Sequence, residues 1–275
     1  MVSLLTISLL GTMALGFFGV IPPLKFYVRV FVYLLLIVIS ALYGVVSSII
    51  FTLTGYQGLS QWSTARVFYF LCHHILGITV IIKNPKNLTI RPAVFISNHQ
   101  SELDILLLGA TFPKYCSVTA KKSLKYYPFL GWFMTLSGSV FIDRVNRTNA
   151  LKAFEGAIKQ VKRVNQSVFI FPEGTRSYSL TPTLLPFKKG AFHFATQAGI
   201  PIVPYVISNY SKIFSFKTRT FESGIIEVEL LDPIDTTSIK AEDVGALCEK
   251  TRENMLAVVE KLQYGPQTPQ DKKTK

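Results

Sequence analysis

The stretch Ala93–Val94–Phe95–Ile96–Ser97–Asn98–His99–Gln100–Ser101–Glu102–Leu103–Asp104–Ile105 changes character twice within a few residues. An apolar, β-favouring run ends at Ser97, a polar segment follows, and the apolar Ile105–Leu108 opens a helical pattern. A strand that leads straight into a helix is the repeating unit of a parallel sheet. Similar β-rich runs lie at Ile78–Ile82, Ser139–Ile142, Ser167–Phe171, Ile202–Val206 and Ile225–Leu231. Helical patterns lie between them, clearest over Ala150–Val164, where Leu151, Phe154, Ile158, Val161 and Val164 form one stripe. The alternation predicts an α/β domain with a mostly parallel sheet. Such sheets bind ligands at the carboxyl ends of their strands, so functional residues should follow the apolar runs directly.

Composition narrows the class. The chain has 275 residues, 49% hydrophobic and only 16% charged, with a formal charge of +13. Disorder needs low hydrophobicity and is excluded. A chain both apolar and basic suits an anionic lipid surface or a phosphorylated substrate. Nucleic acid fits the charge less well, because the basic residues form no long run and no nucleic-acid motif is present. Cys72, Cys116 and Cys248 are too far apart in sequence to read as a disulfide framework, and reduced thiols facing the cytosol are expected. His73, His74, His99 and His193 form no metal-ligand pattern, so no metal is expected.

The N-terminus carries two uncharged apolar stretches, Leu4–Ile21, which stops at Pro22–Pro23, and Val30–Leu53. About 20 apolar residues cross a bilayer, so the second stretch is long enough and the first is marginal. Residues 1–55 are therefore assigned to membrane-anchoring helices, 56–265 to the α/β domain and 266–275 to a flexible basic tail. Lys25 and Arg29, the charges between the stretches, would hold that loop cytosolic by the positive-inside rule. Two full spans would then put the α/β domain on the far side. A re-entrant or monotopic helical pair avoids this conflict.

Three strand-end segments can carry chemistry. After Ala93–Ser97, His99 can take a proton from a hydroxyl at neutral pH, and Asp104 can hold the ring and stabilise its charged form. Ser101 and Asp104 also have capping-box spacing, and the plainer account has the carboxylate serve only the helix start. After Ser167–Phe171 come Pro172, Glu173, Gly174, Thr175, Arg176 and Ser177, where glycine permits close approach and arginine offers a fork for phosphate oxygens. A turn with a surface arginine is the plainer account. After Ser139–Ile142 come Asp143 and Arg144, either a buried pair or an anion site. Lys121–Lys122 and Lys188–Lys189 add positive potential or are simply solvated.

The ordered blocks Asn98–His99–x4–Asp104, Gly138–x–x–Phe141–x–Asp143–Arg144, Phe171–Ser177 and Ile200–Pro204 together resemble the glycerolipid acyltransferase family. The stretches Ala120–Phe133 and Leu185–Phe192 are similar to its 1-acylglycerol-3-phosphate acyltransferase branch, fungal members above all. The resemblance covers about residues 55–265.

It implies transfer of a fatty acyl group from acyl-CoA to the sn-2 hydroxyl of lysophosphatidic acid, giving phosphatidic acid and CoA, a step of phospholipid biosynthesis. His99 would be the general base, assisted by Asp104. Acyl-CoA would be a co-substrate and no cofactor is implied. Glu173, Gly174, Thr175 and Arg176 match the acceptor-binding block, and Arg176, Arg144 and Lys121 or Lys122 would hold the phosphate. No GxSxG elbow is present, so direct attack without an acyl-enzyme is expected. The apolar run Phe129–Phe141, around Trp132 and Phe133, can line an acyl channel or pack as core. Lys272 and Lys273 resemble a dilysine signal for the endoplasmic reticulum membrane, with the active site facing the cytosol; lipid droplets are a further expected location. Asn87 and Asn146 lie in sequons that should then stay unmodified. The alternatives are the same chemistry on glycerol 3-phosphate or another lysophospholipid, or a non-catalytic lipid-binding protein.

Overall fold

A computed structural model describes residues 4–142, 155, 156, 158, 159, 161, 163 and 165–264. Arg144, Asp143, Asn146, Lys272, Lys273 and most of the 150–164 stripe lie outside the described residues.

The sheet has seven strands: β1 (Ile78–Lys83), β2 (Val94–Ser97), β3 (Cys116–Lys121), β4 (Val140–Ile142), β5 (Ser167–Ile170), β6 (Ile202–Ile207) and β9 (Gly224–Leu230), in the order β1-β9-β6-β2-β5-β3-β4. Every pair is parallel except β6 with β9. A two-stranded hairpin, β7 (Phe214–Ser215) with β8 (Thr220–Phe221), stands apart.

Strand β2 is central and buried on both faces, which is why it reads as a continuous apolar run instead of an alternating one. Its residues still divide by period two. Phe95 joins Phe169 and Tyr205 in one core, while Val94 and Ile96 join Val168, Ile170 and Phe192 in the other.

Helices α2 (Pro22–Leu53), α3 (Ser60–Leu76) and α4 (Asp104–Thr111) cover the first face. Helices α6 (Gly190–Ala198) and α7 (Val244–Tyr264) cover the second. Helix α5 (Leu130–Leu136) packs beside α2, where Gly44 lets Phe133 close in: a Cβ there would meet the ring at 2.5 Å. Helix α1 (Leu4–Phe17) folds back on α2.

The two N-terminal helices are present, but α2 begins at Pro22, well before the uncharged stretch. Proline is well placed there because the first helical N–H has no partner in any case. Lys25 and Arg29 consequently sit inside the helix and not in a connecting loop. Lys25 pairs with Glu222, and the buried Arg29 donates to the carbonyl of Leu76 and to Ser223. These charges tie α2 to the α/β domain, so they carry no simple positive-inside signal. The opposite face of α2 is an exposed apolar stripe through Phe31, Leu35, Val38, Leu42, Val46, Ile49 and Leu53.

Candidate active site

Residues 98–104 cross from the carboxyl end of β2 to the first turn of α4, and nearly every polar group in the segment is anchored. Asn98 exchanges hydrogen bonds with Ile207 at the end of β6: its Nδ2 donates to the Ile207 carbonyl at 3.0 Å and its Oδ1 accepts the Ile207 N–H at 2.8 Å. Gln100 donates to the Ser208 carbonyl at 2.9 Å. The segment therefore has its path fixed by the neighbouring strand before any ligand is considered.

His99 and Asp104 meet. Nδ1 lies 2.7 Å from Asp104 Oδ2, and the ring stacks on Phe171 with centroids 4.1 Å apart. Asp104 is 1% exposed and the His99 side chain 18%. The carboxylate is heavily satisfied: Oδ2 also accepts the N–H groups of Gln100 at 2.7 Å and Ser101 at 3.2 Å, and Oδ1 accepts the Tyr210 hydroxyl at 2.6 Å. Ser101 Oγ accepts the Leu103 N–H at 3.1 Å. The two readings of Asp104 are thus compatible, since the oxygen that holds the imidazole also accepts the Ser101 N–H just ahead of the helix. Ser101 Oγ takes the Leu103 N–H and not that of Asp104, so the capping box is not closed. A buried carboxylate is stable only when paired in this way. Among the described residues, His99 Nε2 has no hydrogen-bond partner.

The loop after β5 is shared between two tasks. Glu173, 3% exposed, accepts the His99 N–H at 2.8 Å and the Leu185 N–H at 3.0 Å, so both of its oxygens hold backbone. Burial raises its pKa, opposed by these two N–H donors. Gly174 takes a positive φ of 70°, and a Cβ there would meet the Lys188 ammonium group at 2.8 Å. The next backbone groups pair with the His99 loop, Ser177 N–H to the His99 carbonyl at 2.9 Å and Tyr178 N–H to the Gln100 carbonyl at 3.0 Å.

Thr175 is exposed, and Arg176 reaches Glu102 Oε1 at 3.1 Å with 38% of its side chain still accessible. Burial alone would lower the Arg176 pKa, but the Glu102 charge and the Tyr178 hydroxyl outweigh it and hold the guanidinium more firmly charged. Lys121 and Lys122, both exposed, mark the end of β3, the strand beyond β5. The order β2-β5-β3-β4 puts His99, Arg176, Lys121 and the segment that continues to Arg144 at neighbouring strand ends.

Sequence reasoning missed Tyr210, Glu102 and Tyr178. Tyr210 comes from beyond β6, and burial together with the Asp104 charge keeps its phenol far above its usual pKa. Glu102 accepts the Tyr178 hydroxyl at 2.7 Å, while its backbone carbonyl accepts the Tyr33 hydroxyl of α2 at 2.8 Å. Of these, Glu102 had a signal, a carboxylate inside the His99 block.

Asn87, the first sequon, is 5% exposed and donates to the Leu231 carbonyl at 2.9 Å, a site closed to a glycan.

The geometry can be set beside known proteins. The acyltransferase family profile matches residues 79–208, which include both loops described above. The 1-acyl-sn-glycerol-3-phosphate acyltransferase of Saccharomyces cerevisiae is 45% identical over 90% of this chain and 82% of its own length. The human 1-acyl-sn-glycerol-3-phosphate acyltransferase beta is 36% identical over 70% of this chain and 69% of its own. A solved structure, the 1-acyl-sn-glycerophosphate acyltransferase of Thermotoga maritima, shares the fold, with a TM-score of 0.59 at 22% identity over 84% of this chain and 97% of that one. Identity at this level along most of a relative's length is not a coincidence of short motifs: the chain belongs to the 1-acyl-sn-glycerol-3-phosphate acyltransferase family.

Proposed function

We propose that this protein transfers a fatty acyl group from acyl-CoA to the sn-2 hydroxyl of lysophosphatidic acid, releasing CoA and phosphatidic acid. The observation that carries this reading is the imidazole of His99, held through Nδ1 by the buried Asp104, with Nε2 free among the described residues. Nε2 accepts the acceptor's hydroxyl proton as that oxygen attacks the thioester carbonyl. Asp104 stabilises the imidazolium that forms, while Gln100, Ser101 and Tyr210 keep the carboxylate in place. The tetrahedral intermediate collapses with loss of the CoA thiolate, and the imidazolium returns its proton to that sulfur.

The acceptor phosphate sits against the accessible edge of Arg176, assisted by Lys121 or Lys122 and by Arg144. Glu173 acts one step back, fixing the backbone of His99. Gly174 and Thr175 shape the approach. The acyl chain enters an apolar cavity of about 120 Å³ bounded by α2, α3, α4 and α5, with Ile37, Phe68, Ile105, Leu130 and Phe133 in its wall. Phe133 thus lines that channel, whereas Trp132 is 55% exposed beside it.

Membrane attachment is read as monotopic. Among the described residues one helix, Pro23–Leu53, is long and apolar enough to cross a bilayer. It is docked on the α/β domain from Lys25 to Gly44: Lys25 pairs with Glu222, Tyr33 bonds the Glu102 carbonyl ahead of α4, and Gly44 packs on Phe133. A helix docked in that way cannot cross a bilayer without carrying polar domain surface into it. Its exposed apolar stripe instead rests in one leaflet, the cytosolic leaflet of the endoplasmic reticulum or the surface of a lipid droplet.

The decisive experiment measures CoA release by membranes bearing the wild-type or His99→Ala chain, given oleoyl-CoA with and without lysophosphatidate. Release that depends on lysophosphatidate and vanishes in the variant is expected. Equal release with glycerol 3-phosphate or another lysophospholipid would reassign the acceptor, and acceptor-independent silence would leave a lipid-binding protein.

A further inference from the structure

A cavity of about 530 Å³, outside the site, opens at the opposite end of the sheet, ahead of β2 and β3. Its wall contains Trp62 and Arg66 of α3, Arg91 before β2, and Phe112, Lys114 and Tyr115 before β3. Arg91 and His99 are eight residues apart on a mostly extended segment, roughly 25 Å at strand rise, so this pocket is separate from the reaction centre.

Its chemistry is distinctive. Three cations converge with two aromatic faces, and among the described residues no carboxylate is paired with any of the three. Lys114 Nζ lies 4.9 Å from the Trp62 ring centre and the Arg91 guanidinium 4.3 Å from that of Tyr115. Arg66 has an evident structural duty, since it donates to the carbonyls of Gly109, Ala110 and Phe112 at the end of α4. It therefore contributes field more than contacts. Arg91 and Lys114 are exposed and bond no protein oxygen among the described residues, which leaves their donors for a ligand.

Location selects the ligand. The apolar stripe of α2 ends at Leu53, the exposed Tyr56 follows the helix, and Gly58 beyond it packs on Tyr115, where a Cβ would meet the ring at 2.7 Å. The pocket thus begins where the lipid-facing surface stops. Beside a helix that rests in the interface plane, tryptophan and tyrosine with arginine and lysine match the headgroup zone of a bilayer. We propose that this pocket is a second lipid site, which holds the phosphate of an anionic membrane phospholipid and is distinct from the acyl-acceptor site. Arg91 presents its fork to the phosphate oxygens, Lys114 supplies a point charge, and Trp62 and Tyr115 flank the glycerol region.

The lipid source rests on the membrane attachment argued above, whereas the anion site itself does not. The chain has two tryptophans, Trp62 and Trp132, so Trp132→Phe leaves a reporter inside the pocket. The full chain carrying that change, in neutral detergent, is titrated with mixed micelles of phosphatidylglycerol, with phosphatidylcholine, and with inorganic phosphate. Phosphatidylglycerol should change Trp62 emission saturably, and phosphatidylcholine should not. Arg91→Gln and Lys114→Gln should each raise the half-saturation about fivefold, and together roughly thirtyfold. Arg91→Lys should retain most of the response, and Lys240→Gln, at an exposed lysine ahead of α7 that does not line the pocket, all of it.

No response, an equal response to phosphatidylcholine, or indifference to both glutamine variants would overturn the site. A full response to inorganic phosphate at the same half-saturation would overturn the lipid and leave a soluble anion. Flotation of the same protein with phosphatidylcholine vesicles reads membrane attachment separately, so the two ideas fail independently.

Discussion

The two loops that build the site, after β2 and after β5, are constructed on opposite plans. In the first, residues 98–104, most polar side chains are turned inward and satisfied: Asn98 on β6, Asp104 on its four donors, Ser101 on Leu103 and Tyr210, with Glu102, partly exposed, the exception. In the second, Glu173 alone is turned inward, to hold the first loop, while Thr175 and the edge of Arg176 remain open to solvent. A proton-transfer group must be fixed before the substrate arrives, because misplacement is costly in rate. A group that captures a phosphate needs accessible donors and tolerates movement. The contrast predicts that damage to the first loop appears in kcat and damage to the second mainly in KM.

The largest effect should come from the dyad. His99→Ala is expected to lower kcat by about a thousandfold or more, and Asp104→Asn by about a hundredfold or more, both with unchanged far-UV dichroism. An active, folded His99→Ala protein would remove the base from the reaction. Next in size, Arg176→Ala should raise KM for lysophosphatidate about ten- to a hundredfold, the worth of a charge-assisted hydrogen bond, with kcat nearly constant. A kcat defect with normal KM would show that the second loop is as preorganised as the first and would erase the contrast.

Tyr210→Phe sharpens it further. The phenol donates to Asp104 but touches no reacting atom, so kcat should fall about three- to tenfold with KM unchanged. Burial and the Asp104 charge push the Tyr210 pKa up, so it stays a donor through neutral and mildly alkaline pH. The pH–rate profiles of wild type and variant should therefore differ in height and coincide in shape on the alkaline side. An alkaline limb lost with the hydroxyl would mean that the phenol titrates in the working range.

Much of this placement is legible in the sequence. The strands that carry site residues are short, buried and apolar, and polar blocks follow them, so the positions of His99, Asp104 and Arg176 could be read from character changes along the chain. Strand β3 lacks the continuous apolar run that marks the other site-bearing strands: Cys116–Lys121 carries only a short period-two alternation, flanked by no sharp break. Tyr210 was hidden for another reason: its partner Asp104 is 106 residues away, and the pairing exists only because β6 and β2 are neighbours. The backbone bonds of Glu173 are not readable from its block. Lying between Pro172 and Gly174 it reads as a ligand contact, whereas the fold uses both its oxygens on backbone. Helix α2 was read from apolarity alone, which locates the exposed face but not the charged first turns that dock on Glu222 and Leu76.

The smallest expected effect tests that last kind of role. Glu173→Gln keeps the shape of the side chain and one acceptor oxygen, but turns an NH2 group toward a backbone donor. Loss of the His99 tether should cut kcat a few-fold. Loss of the Leu185 tether leaves the His99 loop in place and should cost activity little. The lost bond alone costs about 1–3 kcal/mol of stability. Against this, burial disfavours the wild-type charge, and the carboxyl pKa in the folded state lies above its ordinary 4.5. The native state therefore binds this proton more readily than the unfolded chain does. The resulting stabilisation is fully present below about pH 4.5 and is lost as pH rises through the raised value. Glutamine has no such dependence. Thermal unfolding of the pair should show wild type gaining on the variant as pH falls from 7 into that window. A gap that does not move with pH would mean that the two backbone N–H groups fully compensate the buried charge, and that Glu173 is as well satisfied as Asp104.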